Sequence, residues 1–346
     1  MINSSGIGVY LRGVLPILIK SCNNFILIGN QELLQSYLSE NVKIIDCNVK
    51  PFSVKDTFIF PSVILKQINK TDTYFTPFFN VPNGIKIPVY TAIHDIVFPD
   101  IPELLSKTGL AARMWFFKRA YNKSKKIFTV SQFSKSRIEY HLGTSKPVIV
   151  TLNAIQQIYL DYHEKLKNIQ KKETIVFIGN IKKHKGLIYL LDAFHLARKE
   201  GLPHKLIIIG SKENFRTSDM NIMNKIESID ADAVSFTGFI SDDTLIEHLA
   251  SASLLVQPSL YEGFCLPPLE ALVLGTNVLL SDIPVLKEIY ADFPVSFFHA
   301  GDSNDLKKKL MELLYKKEAS TAVLSNELLL KYTFEKTTSC ILKEFE

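Results

Sequence analysis

The chain has 346 residues, 47% of them hydrophobic and 22% charged, with a net charge of +5 at pH 7. This is enough apolar chain for two domains with cores of their own, and it excludes disordered, coiled-coil and collagen-like classes. The charge is uneven: residues 1–165 carry 19 Lys/Arg against 11 Asp/Glu, and residues 166–346 carry 21 against 24, so an anionic partner is favoured for the N-terminal half. Short apolar strands are expected at Phe25–Gly29, Val42–Asp46, Phe58–Phe60, Val89–Ile93, Lys126–Val130 and Val148–Val150. The pattern resumes at Thr174–Ile178, Lys205–Ile209, Val234–Phe236, Ser253–Val256, Asn277–Leu280 and Val295–Phe297. Helical stretches fall at Lys107–Lys126, Leu187–Lys199, Asp242–Ser251, Pro268–Leu274 and Asp302–Tyr315. Strand–helix alternation of this kind predicts parallel sheets covered on both faces. The polar stretch Asn153–Glu173 interrupts it and reads as a linker between two doubly wound domains.

No apolar run reaches the roughly 18–20 residues that span a bilayer. Gly13–Ile19 lies between Arg12 and Lys20 without a small-residue cleavage site, so it does not read as a leader. Cys22, Cys47, Cys265 and Cys340 form no C-x-x-C pair, which points away from zinc and disulfides and towards a reduced, cytoplasmic setting.

Four places carry candidate chemistry. QPSLYEGFCLPPLEA (257–271) follows a strand, and its prolines suit the first turn of a helix. Backbone amides there suit a phosphate or diphosphate, and Glu262 and Glu270 flank the loop as acceptors for sugar and ribose hydroxyls. The bland alternative makes both acids ordinary loop and first-turn residues. FIGNIKKHKG (177–186) also sits between strand and helix, and its lysines can neutralise a leaving diphosphate. It is not a Walker loop. His94-Asp95 ends a strand, where an α/β sheet presents functional groups; a structural histidine is the alternative. Ser4-Ser5-Gly6-Ile7-Gly8 opens a helix and would let backbone approach a ligand. The basic, aromatic stretch Lys107–Lys126 suits either an anionic membrane face or ordinary packing on a sheet.

Together these motifs resemble retaining glycosyltransferase family 4, and within it a mannosyltransferase-like branch. The resemblance runs through GNIKKHKG (179–186), SFTGFISDDTLIEHLASASLLVQPSLYEGFCLPPLEALVLGT (235–276) and SDIPVLKEI (281–289). It is looser at SSGIGVYLR (4–12), DTYFTPFFNVP (72–82), IHDIVFP (93–99) and FTVSQFSKSRI (128–138). It implies the GT-B fold, with two Rossmann-like domains facing a cleft: an acceptor-side domain over 1–155, a donor domain over 156–330 and a tail over 331–346 that is helical and returns to the first domain. It implies a retaining, metal-independent transfer of a hexose, mannose-like, from a nucleotide-diphosphate sugar to a glycan or lipid-linked acceptor in cell-surface polysaccharide synthesis. The nucleotide-sugar is a co-substrate, and no cofactor is expected. His94 and Glu262 are the expected catalytic residues, Glu262 on the donor sugar and His94 beside the reacting carbon. Gly6, Gly8, Gly179, Asn180, Lys182, Lys185, Phe239, Ile240, Phe264, Cys265, Leu266 and Glu270 are expected to hold the donor. Lys185 is assigned to the diphosphate, Glu270 to the ribose, and Phe239 with Ile240 to the base. Peripheral contact with the inner face of an anionic membrane is compatible with this, and nucleic acid is not called for.

Three positions depart from the family pattern. Asn180 stands where arginine is common, with Lys182 to supply charge, and Cys265 stands where glycine is common. The family's first strand would precede the glycine loop, where only 1–5 lie here, which implies an upstream start or a sheet without that strand. The alternative function is a non-catalytic nucleotide-sugar or glycan-binding subunit of an assembly complex. A nicotinamide-dependent enzyme is disfavoured, because no G-x-G-x-x-G follows a strand.

Overall fold

The computed structural model describes residues 6–166, 169–210, 222, 225, 226, 229, 232–315 and 325–345. The chain divides into two compact units, 1–154 with 331–346, and 155–330. Helices of five or more residues and all strands are labelled below in chain order.

In the second unit, β7 (Lys172–Ile178), β8 (Lys205–Ile209), β9 (Val234–Gly238), β10 (Ala252–Gln257), β11 (Asn277–Ser281) and β12 (Ser296–Phe298) form one parallel sheet in the order β12-β11-β10-β7-β8-β9. Ile175–Phe177 of β7 and Leu254–Val256 of β10, at its centre, are apolar and fully buried, as strand segments covered on both faces must be. The helices that cover it are α6 (Gln157–Leu166), α7 (Leu187–Lys199), α8 (Asp242–Ser251), α9 (Pro267–Val273), α10 (Pro284–Tyr290) and α11 (Ser303–Tyr315). Leu190, Leu191 and Phe194 of α7 pack with Phe177, Ile208, Leu306 and Leu310 in one fully buried cluster.

In the first unit, α1 (Gly6–Ser21) precedes β1 (Phe25–Gly29) and β2 (Val42–Asp46), which pair in parallel as a two-stranded sheet. The strands β3 (Tyr74–Thr76), β4 (Val89–Ala92), β5 (Lys126–Thr129) and β6 (Val148–Val150) form a separate parallel sheet of four. A cavity of about 910 Å³ lies between β1 and β3, with Leu11, Leu15 and Leu18 of α1 on its wall. The other helices here are α2 (Val54–Phe58), α3 (Ser62–Ile68), α4 (Lys107–Lys123), α5 (Gln132–Leu142) and α12 (Phe334–Phe345). Phe345 of α12 packs its ring on those of Phe75, Tyr90 and Phe128 at 4.8–6.2 Å.

Phe58–Phe60 is not a strand. Ser53 caps a helix by accepting from the Asp56 amide at 3.1 Å, so Phe58 is the last residue of α2, and Pro61 follows shortly. The strand of this region is β3, three residues long and too short for period-two alternation to register. Asn153–Glu173 is likewise not a plain connector, because it contains α6.

Candidate active site

The loop after β7 is tied to the loop after β10 by backbone. Gly186 holds φ 67°, and a Cβ there would lie 1.9 Å from the Pro258 carbonyl oxygen, so only glycine allows the approach. The amides of Leu260 and Tyr261 donate to the His184 carbonyl at 2.8 and 3.3 Å. This brings Lys185 onto Glu262: its Nζ donates to the two carboxylate oxygens at 2.7 and 2.8 Å. The Ser259 hydroxyl donates to Glu262 Oε1 at 2.7 Å, and Ser259 is held in turn by the Ser281 hydroxyl on its carbonyl. Glu262 is only 8% exposed, and three donor contacts stand in for water at its side chain. Burial and the neighbouring Lys185 push His184 down to about 4, so its ring is neutral near pH 7.

After Glu262 the chain turns sharply into α9. Cys265 has φ 73°, the left-handed conformation that glycine adopts without cost. The cysteine therefore keeps the backbone path a glycine would give, and the Tyr290 hydroxyl donates to its carbonyl. Burial pushes the Cys265 thiol well above its ordinary range, with the Glu262 carboxylate adding to this. Phe264 and Leu266 have buried side chains, so what they offer a ligand is backbone. Pro267 and Pro268 open α9, and Glu270 lies in its first turn. The Glu270 carboxyl is raised from 4.5 to about 7: burial drives the rise, the Tyr159 hydroxyl opposes it, and Asp242 adds to it. It is thus an acid poised to change protonation near neutrality, as a buried acceptor waiting for a polyhydroxyl ligand would be.

Gly179, Asn180 and Lys182 sit on the same β7 loop, where the Gly179 amide donates to the Ile209 carbonyl at 2.9 Å and Asn180 and Lys182 are exposed. A Cβ at Gly210 would lie 2.2 Å from the Gly179 carbonyl oxygen, which keeps the β7 and β8 loops close. Phe239 follows β9 and is 78% exposed, an apolar ring available for stacking; Ile240 beside it is half-buried. The second unit therefore gathers Gly179, Asn180, Lys182, Lys185, Glu262, Phe264, Cys265, Leu266 and Glu270 at the carboxyl ends of β7 and β10, with Phe239 and Ile240 at the end of β9. Tyr159 and Ser259 complete this set and went unrecognised in the sequence. Tyr159 lies in the stretch taken for a linker, and a serine three residues before a glutamate gives no signal by itself.

His94, Gly6 and Gly8 belong to the first unit. His94 follows β4, and its Nε2–H donates to the Pro77 carbonyl at 3.1 Å, which leaves Nδ1 as the acceptor nitrogen. Burial pushes it down to about 4, so it is neutral at pH 7. The Tyr10 ring of α1 meets it edge-on, with centroids 4.9 Å apart. Gly6 is exposed and Gly8 buried in the first turn of that helix, while Ser4 and Ser5 lie outside the described residues.

Comparison with known proteins fits this geometry. Residues 160–326 match the family described as Glycosyl transferases group 1. O-antigen chain mannosyltransferase B of Escherichia coli is 28% identical over 242 residues, covering 67% of this chain and 62% of the relative. An uncharacterized glycosyltransferase of Methanocaldococcus jannaschii is 26% identical over 267 residues, covering 76% and 70%. The chain thus spans less than two thirds of the E. coli protein's own length. The crystal structure of Anabaena HepE in complex with UDP-glucose is similar with a TM-score of 0.74 at 16% identity, over 99% of this chain and 96% of that one. The fold is accordingly GT-B with two Rossmann-like units, and residues 160–326 are similar to the glycosyl transferases group 1 family.

Proposed function

We propose that the chain is a retaining glycosyltransferase that moves a hexose, mannose-like, from a nucleotide-diphosphate sugar to a glycan or lipid-linked acceptor in cell-surface polysaccharide synthesis. The observation that carries this reading is the Lys185–Glu262 pair at 2.7 Å, set beside a buried Glu270 at the strand ends of a Rossmann-like unit. The family match and the mannosyltransferase and UDP-glucose names of the similar proteins support it.

In this reading the pair separates when the donor arrives. The diphosphate carries more negative charge than one carboxylate, so the Lys185 ammonium moves onto it. Glu262 keeps the Ser259 hydroxyl and turns its freed oxygen to hydroxyls of the donor sugar. Glu270 ionises and accepts from the ribose hydroxyls, and the loop amides at 264–266 add donors to the phosphates. Lys185, Lys182 and those amides stabilise the departing diphosphate without a metal ion. The diphosphate takes the proton of the acceptor hydroxyl as the new bond forms on the face it leaves, so the anomeric configuration is kept. His94 of the first unit is neutral at pH 7 with Nδ1 as its acceptor nitrogen, the state that accepting from a sugar hydroxyl requires. Because the lysine in the resting pair is only 23% exposed, part of the desolvation cost of placing it against phosphate is met before binding.

Transfer assays with purified donors test this. Lys185→Ala and Glu270→Ala should each lower kcat/KM by roughly 10²-fold or more, the loss typical of one preorganised charge or donor. Unchanged turnover in both variants would contradict the reading.

A further inference from the structure

The first unit carries an exposed apolar face built from α2, α3 and α4. Val54 and Phe58 lie four residues apart on α2 and share one side of it. Ile59 follows directly, Val63 is the second residue of α3, and Trp115 of α4 meets Phe58 with ring centroids 5.7 Å apart. These five side chains are between 44% and 71% exposed. Single exposed apolar residues are ordinary, but Phe58 in contact with Trp115, with Val54, Ile59 and Val63 all exposed within five residues of Phe58 along the chain, marks a surface with a partner.

The charge around the group identifies that partner's chemistry. Segments 50–70 and 107–126 hold eleven Lys/Arg, of which Lys126 pairs with Glu344 at 2.7 Å, and a single acid, Asp56. Asp56 is 5% exposed and turned inward, accepting from the Phe52 amide at 2.9 Å and the Asn80 amide group at 3.2 Å. No carboxylate of either segment faces solvent, whereas Lys55, Lys66 and Lys118 do. The Arg119 guanidinium lies over the Trp115 and Phe58 rings at 5.6 and 6.0 Å and donates to the Val81 carbonyl at 2.7 Å, so the aromatic pair is held in place. On its other side α4 buries Phe117, Ala120 and Tyr121, so packing on the sheet and presenting Trp115 outward are both met by one helix. Long cationic side chains around a small apolar centre with a tryptophan at its edge fit the boundary between lipid headgroups and acyl chains. A protein surface of matching shape would have to bring a dense set of carboxylates to an apolar centre; an anionic bilayer offers both layers without shape matching.

We infer that this face seats the protein on an anionic bilayer, with Phe58, Ile59, Val63 and Trp115 entering the headgroup boundary and Lys55, Lys66 and Lys118 meeting lipid phosphates. The inference rests on exposure and charge in the first unit and stands apart from the donor chemistry of the second. No helix among the described residues is long and apolar enough to cross a membrane, so contact of this kind lies on the surface.

Trp115 is the single tryptophan of the chain, which makes its emission a direct probe. The full chain is titrated with vesicles of phosphatidylcholine alone, and with vesicles in which roughly a third of the lipid is phosphatidylglycerol. The expected result is a blue shift and co-flotation with the anionic vesicles only, weakened by salt. Two surface variants, Lys55→Glu/Lys66→Glu/Lys118→Glu and Ile59→Ser/Val63→Ser, should each cut vesicle affinity at least tenfold with melting temperature kept. Unshifted emission, a wild type that stays out of the floated fraction, or variants that bind as the wild type does would overturn the inference. So would self-association in sedimentation that both variants abolish while vesicles have no effect, since the face would then cover a second copy. Donor-induced shifts in melting temperature, read in the same samples, report the donor reading separately.

Discussion

The sheet of the second unit runs unbroken from β12 to β9, whereas that of the first is divided between β1–β2 and β3–β6 with a cavity of about 910 Å³ at the division. Both units draw on the same strand–helix alternation, so the difference lies in pairing. In the second unit every internal strand has a neighbour on each edge, and the loops at the carboxyl ends inherit fixed positions. That is why a carbonyl of the β7 loop can receive two amides of the β10 loop, and why Lys185 and Glu262 meet. In the first unit the facing edges of β1 and β3 border space instead of a ladder, so local opening there should need less free energy. Charge is divided as well: the first unit presents cations around an apolar face, while the second pairs its site lysine internally.

Core truncations should expose the contrast most strongly. Phe194→Ala removes a fully buried ring from the second unit and should cost about 3–5 kcal/mol. Leu15→Ala removes a side chain that already borders the cavity, so fewer packed contacts are lost, and about 2 kcal/mol is expected. Urea denaturation followed by circular dichroism measures both, and equal costs would break the comparison. Hydrogen exchange should agree, with amides of β1 and β2 exchanging before those of β7 and β10.

A smaller effect separates site from scaffold. The folded Glu270 carboxyl sits near 7 against 4.5, so the folded state holds the extra proton and wild-type stability falls as pH rises from about 4.5 to 7. Glu270→Gln removes that loss. Its stability should exceed wild type at pH 8 by on the order of 3 kcal/mol at most, with no excess below pH 4.5, while nucleotide binding weakens. Thermal melts across this range check it, and a pH-independent difference would argue against a poised carboxyl. The smallest effect concerns Cys265. Cys265→Gly relieves a left-handed non-glycine residue and should stabilise by about 1 kcal/mol, or roughly 2–4 °C in Tm.

Much of this was legible in the chain itself. Leu187–Lys199 and Asp242–Ser251 have the bounds that apolar periodicity predicts, because their burial dominates their environment. Phe58–Phe60 misled because an apolar triplet does not reveal whether it caps a helix or pairs in a sheet, and Ser53 decided it. Tyr74–Thr76 escaped because three residues carry too little pattern. At the site, Glu262, Glu270 and Lys185 stood out by motif, but the contact between Lys185 and Glu262 depends on two loops 77 residues apart. The hydroxyl of Tyr159 beside Glu270 is a tertiary fact of the same kind. Cys265 shows the reverse: it departs from glycine in the sequence but holds φ 73°, in the left-handed region that glycine favours.

The central claim is that the strand-end loops of the second unit hold a nucleotide diphosphate, with Lys185 leaving Glu262 to do so. The most direct measurement is a thermal-shift titration of the protein and of Lys185→Ala with GDP, UDP, dTDP and ADP and their sugars. One nucleotide series should raise the wild-type melting temperature progressively, by preferential binding to the folded state, and leave Lys185→Ala unmoved. No shift with any of the four, or an equal shift in the variant, would contradict the account.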